Sequence, residues 1–453
     1  MDVKLGTRGL ALWLACAAAP ALAAPKETLT LEQAVELAKR QNPRMRAARS
    51  STAADADQAR SVRGHLLPTV DVSVMADDAW SFQKLNIGGL LGPFFAGGQA
   101  GAQGSGPSFP PPAAISNAWI GLGTATVAQP LLGLWHLGHE YAGALDHADA
   151  SAATLKADEA DLREQVESSF LSLFEARALE GIAQASYSQL QDQDQLTEAK
   201  YRDGVLTRAD VLRVKVAVAN ADQQRIQAQV QEQVAKASLL TILGLPPADE
   251  DVDFTEPTSL ATREIPTLEA SAQTFALEHR QEVVASEAQR SAAHHSFVAS
   301  ELHLLPEINA SAMYIHVQGL PSAIPSDFGT IGFTLDWPIW QWGSTYYQSR
   351  VASERADAAA ALLENTRAQV SLEVDQRLAE ERAAAHAVVV AQDAIQQAEE
   401  AYRVTESMVK AGAATTTDLL DAQSALTQAK LNLVRARYQD LRTRSALTRA
   451  LGA

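Results

Sequence analysis

The sequence predicts a mixed, mainly α-helical chain that carries a membrane β-barrel and consists of two duplicated halves, each with long coiled-coil helices and one β-hairpin. Three observations predict this. First, the segment Lys200 to Leu212 returns as Met408 to Leu420. A shift of 208 residues, the distance from Gly204 to Gly412, superimposes Thr207 on Thr415, Asp210 on Asp418 and Leu212 on Leu420. The same shift carries Pro130 onto Pro338, Val166 onto Val374 and Leu243-Gly244 onto Leu451-Gly452, a unit far longer than the roughly 20 to 50 residues of a solenoid module. Second, four short segments alternate between apolar and polar or small residues, while no apolar run after residue 24 approaches the roughly 20 residues of a spanning helix. Third, two proline-free stretches of about sixty residues carry apolar residues at coiled-coil spacing.

Taken in order, residues 1–24 read as a secretory signal peptide: Lys4 and Arg8, an apolar run from Gly9 to Ala19, then Pro20 and an Ala-x-Ala end. The only cysteine, Cys16, lies inside it, so the mature chain has no thiol or disulfide; the alternative is a lipidated Cys16, which Trp13-Leu14-Ala15 fits poorly. The first repeat, 25–247, opens with a Thr30-x-x-Gln33 capping box, an apolar helical face of Leu31, Ala34, Val35 and Ala38, and a break at Asn42-Pro43. A second helix stops at His65-Leu66-Leu67-Pro68, which returns as His303-Leu304-Leu305-Pro306. Strands are expected at about 68–82, where Val70, Val72 and Val74 alternate with polar residues, and at about 118–130 before the Pro130 strand-to-helix junction. Between them the Gly- and Pro-rich insert Leu85 to Asn117 reads as a long exposed loop.

Helices at about 139–201 and 207–243 follow, the first with Leu155, Leu162, Val166, Phe170 and Leu173 along one seam. An acidic linker, 248–266, leads to the second repeat, 267–453, with strands at about 306–318 and 329–338, the second junction at Pro338, and helices at about 344–409 and 415–451. Trp80, Phe82, Trp119, Tyr314, Trp337, Trp340 and Trp342 sit at strand ends, either as an interfacial girdle or as core aromatics.

The balance of 37 Lys plus Arg against 54 Asp plus Glu argues against a nucleic-acid partner. No His-Glu-x-x-His, phosphate loop or serine elbow occurs, so neither catalysis nor a cofactor is expected. His136-x-x-His139 and His294-His295 lack a cysteine or a matched acidic ligand, and no metal is expected there.

Four strands cannot close a barrel in hydrocarbon, and single-chain membrane barrels use about eight or more, so copies must share strands around a ring. The signal peptide, the two halves, the Pro130 and Pro338 junctions, the Gly204 and Gly412 turns and the terminal Leu451-Gly452 together resemble the TolC-like outer membrane efflux proteins. The resemblance implies a homotrimer whose shared twelve-stranded barrel lies in outer membrane lipid and continues as a periplasmic α-helical tunnel. It implies two protein partners, a periplasmic adaptor and an inner-membrane pump of the RND or ABC type. It places adaptor docking at the turns Gly204, Val205, Leu206, Thr207 and Gly412, Ala413, Ala414, Thr415, and a pore constriction at Asp418 and Asp421 with Asp210 beside it. For Asp210 and Asp418 helix capping is the competing reading, as turn geometry is for the glycines. Some relatives carry an arginine two residues after the turn glycine; Ala414 stands there here, leaving Arg208 as a candidate lock. The exit duct of a tripartite efflux pump, the duct of a type I protein secretion system and a secreted soluble coiled-coil interaction protein are the three functions in view.

Overall fold

The computed structural model describes residues 27–79, 118–249, 251–256, 269–319, 325–337 and 339–452. The expected signal peptide with Cys16, the strand-end aromatics Trp80 and Phe82, the expected loop Leu85 to Asn117, and Pro338 lie outside the described residues.

Each half begins with a broken helix. Thr30 caps α1 (Leu31–Gln41) through a capping box with Gln33, and Asn42 both ends α1 and caps α2 (Pro43–Gly64) by accepting from the Arg44 and Met45 N–H groups. Pro43 enters at the first helical position, where its missing N–H costs nothing. In the second half α5 (Glu269–His279) and α6 (Gln281–Leu302) repeat the arrangement, with Arg280 in the break.

The long elements are α3 (Leu134–Arg202, 69 residues) with its partner α4 (Arg208–Leu243), and α7 (Ser344–Lys410, 67 residues) with α8 (Thr416–Ala450). At about 1.5 Å per residue the first of each pair extends roughly 100 Å. α3 starts five residues before the His139 expected from the sequence, because Leu134 to Gly138 is helical without carrying a heptad signal. Two cores form at equivalent places. Leu162, Val166, Phe170, Leu239 and Leu243 pack with Ala34, Ala38 and Met45; their counterparts Val370, Val374, Leu378, Leu447 and Leu451 pack with Ala272, Ala276 and Val283. Gly244 (φ +79°) and Gly452 (φ +77°) end α4 and α8 against the helix breaks. A Cβ on Gly244 would fall 2.7 Å from the Gln41 carbonyl oxygen, and one on Gly452 would fall 3.0 Å from the Arg280 nitrogen.

The acidic stretch expected to be only a linker is partly structured. Its β4 (Val252–Phe254) pairs in parallel with β1 (Glu27–Leu29), Val252 and Phe254 are buried in the first core, and Arg177 donates to Asp253 (2.7 Å) and Glu232 (3.0 Å). Three residues are too few to show an alternating pattern, so the pairing left no mark in the sequence.

β2 (Thr69–Ala79), β3 (Ala118–Pro130), β5 (Glu307–Gln318) and β6 (Asp327–Asp336) form one antiparallel sheet in the order β2-β3-β5-β6, with the β3–β5 pairing joining the halves. Its register separates two faces. Val70, Val127, Ala312 and Ile331 lie in one cross-strand row, whereas Ser73 and Thr124 share the opposite face and hydrogen-bond at 2.7 Å. Val74, Ile331 and Phe333 on the first face are exposed to 81%, 86% and 74%. Among the described residues no helix is long and apolar enough to cross a membrane.

Candidate functional site

The two duplicated turns close alike. After α3, Gly204 adopts φ +76°, its N–H donates to the Tyr201 carbonyl (2.9 Å) and the Val205 N–H to the Lys200 carbonyl (2.8 Å). After α7, Gly412 at φ +74° donates to Val409 (3.2 Å) and Ala413 to Met408 (2.8 Å). Both are Schellman caps, which need a left-handed residue just past the helix. Nothing lies within 4 Å of a Cβ built on either glycine, so the requirement is conformational. Val205 and Ala413 are exposed at the apex; Leu206 and Ala414 are half-buried.

The next helices begin with reciprocal capping boxes. The Asp210 N–H donates to the Thr207 hydroxyl oxygen (3.3 Å), while the Thr207 N–H (3.0 Å) and O–H (2.6 Å) donate to Asp210 Oδ2. Thr415 and Asp418 repeat this at 3.2, 2.8 and 2.7 Å. The Thr207 hydroxyl and then its N–H hold the Asp210 carboxyl below its ordinary pKa; for Asp418 the Thr415 N–H comes first and the hydroxyl second. Asp421, one turn further, is exposed and has no hydrogen-bond or ion-pair partner among the described residues. Asp210 and Asp418 therefore hold their own helices, and Asp421 is the free charge on that face.

Arg213 joins the two turns. Its Nη1 donates to Thr417 Oγ1 (3.0 Å) across from α4 to α8 and stands 3.9 Å from Asp210. Arg208, the candidate lock, is exposed without a partner among the described residues. The sequence carried only the i, i+3 spacing of Asp210 and Arg213 as a sign of this role.

At the other end of the long helices, Pro130 pairs opposite Asn309 and the Leu131 N–H donates to the Ile308 carbonyl (2.7 Å), so the β3-to-α3 junction is bonded to the start of β5. Here the histidines assort differently from their sequence spacing. His136 lies against His303, with ring centroids 4.1 Å apart and planes tilted by 40°, while His139 Nδ1 meets His295 Nδ1 at 3.0 Å. Glu140 and Glu307 flank His303 at 3.4 and 3.6 Å. The expectation of no metal rested on the lack of a matched acidic ligand; the fold brings His136 of the first half to His303 and Glu307 of the second. Burial, and then His303, depress the His136 proton affinity. Arg280, 3% exposed, donates to Glu282 (2.8 Å) and Glu373, and with Arg449 and Asp161 lines a cavity of about 440 Å³. That cluster closes the α5–α6 break against α7 and α8.

The family model described as outer membrane efflux protein matches residues 34–245 and 274–453. The outer membrane efflux protein BepC of Brucella suis biovar 1 is 24% identical over 305 residues, which are 67% of this chain and just under two thirds, 66%, of that relative. Among solved structures, the outer-membrane channel OprN matches with a TM-score of 0.79 at 20% identity, over 93% of this chain and 89% of that one. The outer membrane protein VceC from Vibrio cholerae gives 0.78 at 19% identity, over 93% and 96%. The open state of the MtrE outer membrane channel of Neisseria gonorrhoeae gives 0.75 at 18% identity, over 95% and 89%. At these identities the likeness to the solved structures is one of fold.

Proposed function

This chain belongs to the outer membrane efflux protein family, whose members are outer membrane channel-tunnels and not enzymes, and from that premise we propose that it is the trimeric exit duct of a tripartite efflux pump. One observation carries the reading: a four-stranded sheet with an exposed apolar face and two edges, β2 and β6, that are unpaired among the described residues, set on helices roughly 100 Å long. Unpaired edges are untenable in lipid, where each unsatisfied backbone group costs several kcal/mol, and pairing β6 of one copy with β2 of the next removes them. The long helices support the same symmetry. Val216, Val230 and Val234 on α4 and Leu372 and Val389 on α7 are more than half exposed in a single copy, as residues facing a neighbour would be.

In this arrangement the turns at Gly204 and Gly412 form the periplasmic tip. Val205, Leu206, Ala413 and Ala414 offer a small, apolar rim to an adaptor, and Asp421 from each copy, with Asp418 beside it, lines the constriction. The duct conducts passively what an inner-membrane pump of the RND or ABC type hands over. A secreted soluble coiled-coil protein would have no use for the apolar sheet face.

A photo-crosslinker on a cysteine placed at Ala413 in intact cells tests the docking assignment. We expect capture of a periplasmic adaptor, and that adaptor's own pump separates small-molecule efflux from type I protein secretion. Crosslinks to copies of this chain alone would remove the tip from the docking surface.

A further inference from the structure

We infer that His136, His303 and Glu307 form a binding site for a divalent transition-metal ion at the junction where strands become helices. The three ligands come from separate elements: the first turn of α3, the residue ending α6 and the first residue of β5. One ring nitrogen of each histidine and one Glu307 oxygen lie within 4.8 Å of one another. A tetrahedral ion with bonds of about 2.0–2.1 Å spaces its ligand atoms roughly 3.4 Å apart, so small side-chain movements suffice to close on it. Two imidazoles and a carboxylate suit zinc-like ions and leave the fourth position to water.

The surrounding residues prepare the ligands. Glu140 Oε1 lies 3.4 Å from His303 Nε2, and accepting that N–H leaves Nδ1, the nitrogen 3.6 Å from Glu307, as the free lone pair. A carboxylate orienting a metal-bound imidazole in this way is a recurrent outer-shell device. His136 is buried, and Gly133 makes room for its ring: a Cβ there would stand 3.1 Å from His136 Cε1. A cavity of about 230 Å³ bounded by Trp135, Leu302 and Leu305 adjoins His136 and Glu307, giving an ion and its water space.

The duplication supplies an internal control. The 208-residue shift puts Ser344 where the first junction has His136, and aligning the two His-Leu-Leu-Pro segments puts Thr69 where it has Glu307; only His65 is retained. The donor set thus belongs to one of two equivalent junctions and is no by-product of the fold. A bound ion would tie the start of α3 to the start of β5, across the two halves, at the neck of the molecule.

The test uses the full-length, tag-free protein in detergent, stripped with a chelator, re-equilibrated with zinc chloride and measured by elemental analysis after dialysis. We expect one zinc per chain, and at least a tenfold loss of affinity in both His303→Gln and Glu307→Gln, whose parent side chains are half-exposed and replaceable without unfolding. Cobalt loading should give the visible absorption of a four-coordinate site in the parent and not in either variant. Unaltered electrophoretic migration of the oligomer separates lost ligation from lost structure. Failure to retain zinc, or retention undiminished in both variants, overturns the site. So does a loss seen only in His295→Gln, which would move the ion to the His139–His295 pair.

Discussion

The carboxylate of Asp418 accepts from both the N–H and the hydroxyl of Thr415, and that geometry limits what it offers to a pore, whereas Asp421 keeps its charge free. Asp421→Asn should therefore reduce cation preference in planar-bilayer reversal potentials and leave the tip as rigid as before. Thr415→Ala should loosen the first turn of α8 by about 1 kcal/mol, read as faster amide exchange there, with the Asp421 charge intact. Equal effects of the two substitutions on selectivity would contradict this division. The pH dependence has a definite sign. Asp418 has a folded pKa below its ordinary 3.8, so its contribution to the turn is fully present above 3.8 and is lost as pH falls through the lower folded value. Protection at the tip, taken as exchange relative to the intrinsic rate at each pH, should consequently be flat with pH down to the ordinary carboxylate value and fall only below it. Sequence spacing revealed the Thr-x-x-Asp boxes but not Arg213, because its hydrogen-bond partner Thr417 is 204 residues away.

Among the elements, four of the six glycines with positive φ among the described residues, those that follow the long helices and their partners, divide into two kinds. Gly204 and Gly412 sit in open space at the tips, while Gly244 and Gly452 are wedged against the α1–α2 and α5–α6 breaks. Gly412→Ala meets only the left-handed conformational penalty of about 1–2 kcal/mol, confined to a turn that can fray. Gly244→Ala adds a contact of 2.7 Å with the Gln41 carbonyl, which a backbone can relieve only by moving the helix break and the core behind it. Thermal unfolding of the purified protein should rank the variants, with Gly244→Ala clearly lower and Gly412→Ala close to the parent; the reverse order would refute the packing argument. The repeated Leu-Gly pair was plain in the sequence. Its purpose was not, since the atoms touched, at Gln41 for Gly244 and at Arg280 for Gly452, belong to helix breaks far earlier in the chain.

For the whole molecule, the decisive feature is the sheet, one face of which exposes Val70, Val74, Ile331 and Phe333 while the other carries Ser73 and Thr124 together with the buried Leu122, Ile315 and Val317. Phe333→Lys places a charge on the apolar face, where a mid-membrane Lys costs about 2–4 kcal/mol, and should sharply reduce the heat-modifiable oligomer in outer membrane fractions. Ser73→Lys, on the face shared with Thr124, should insert normally; equal loss from both would mean that the faces are reversed. The sequence by itself determined the duplication, the helix breaks and caps, the strand periods and the turn glycines, because each depends on residues within a few positions of one another. Only the tertiary structure decided that β1 pairs with β4, that Arg213 bridges the two turns, and that His136 meets His303 and Glu307. Those contacts join elements far apart in the chain, and their geometry is set by how the two halves pack, which no local pattern records.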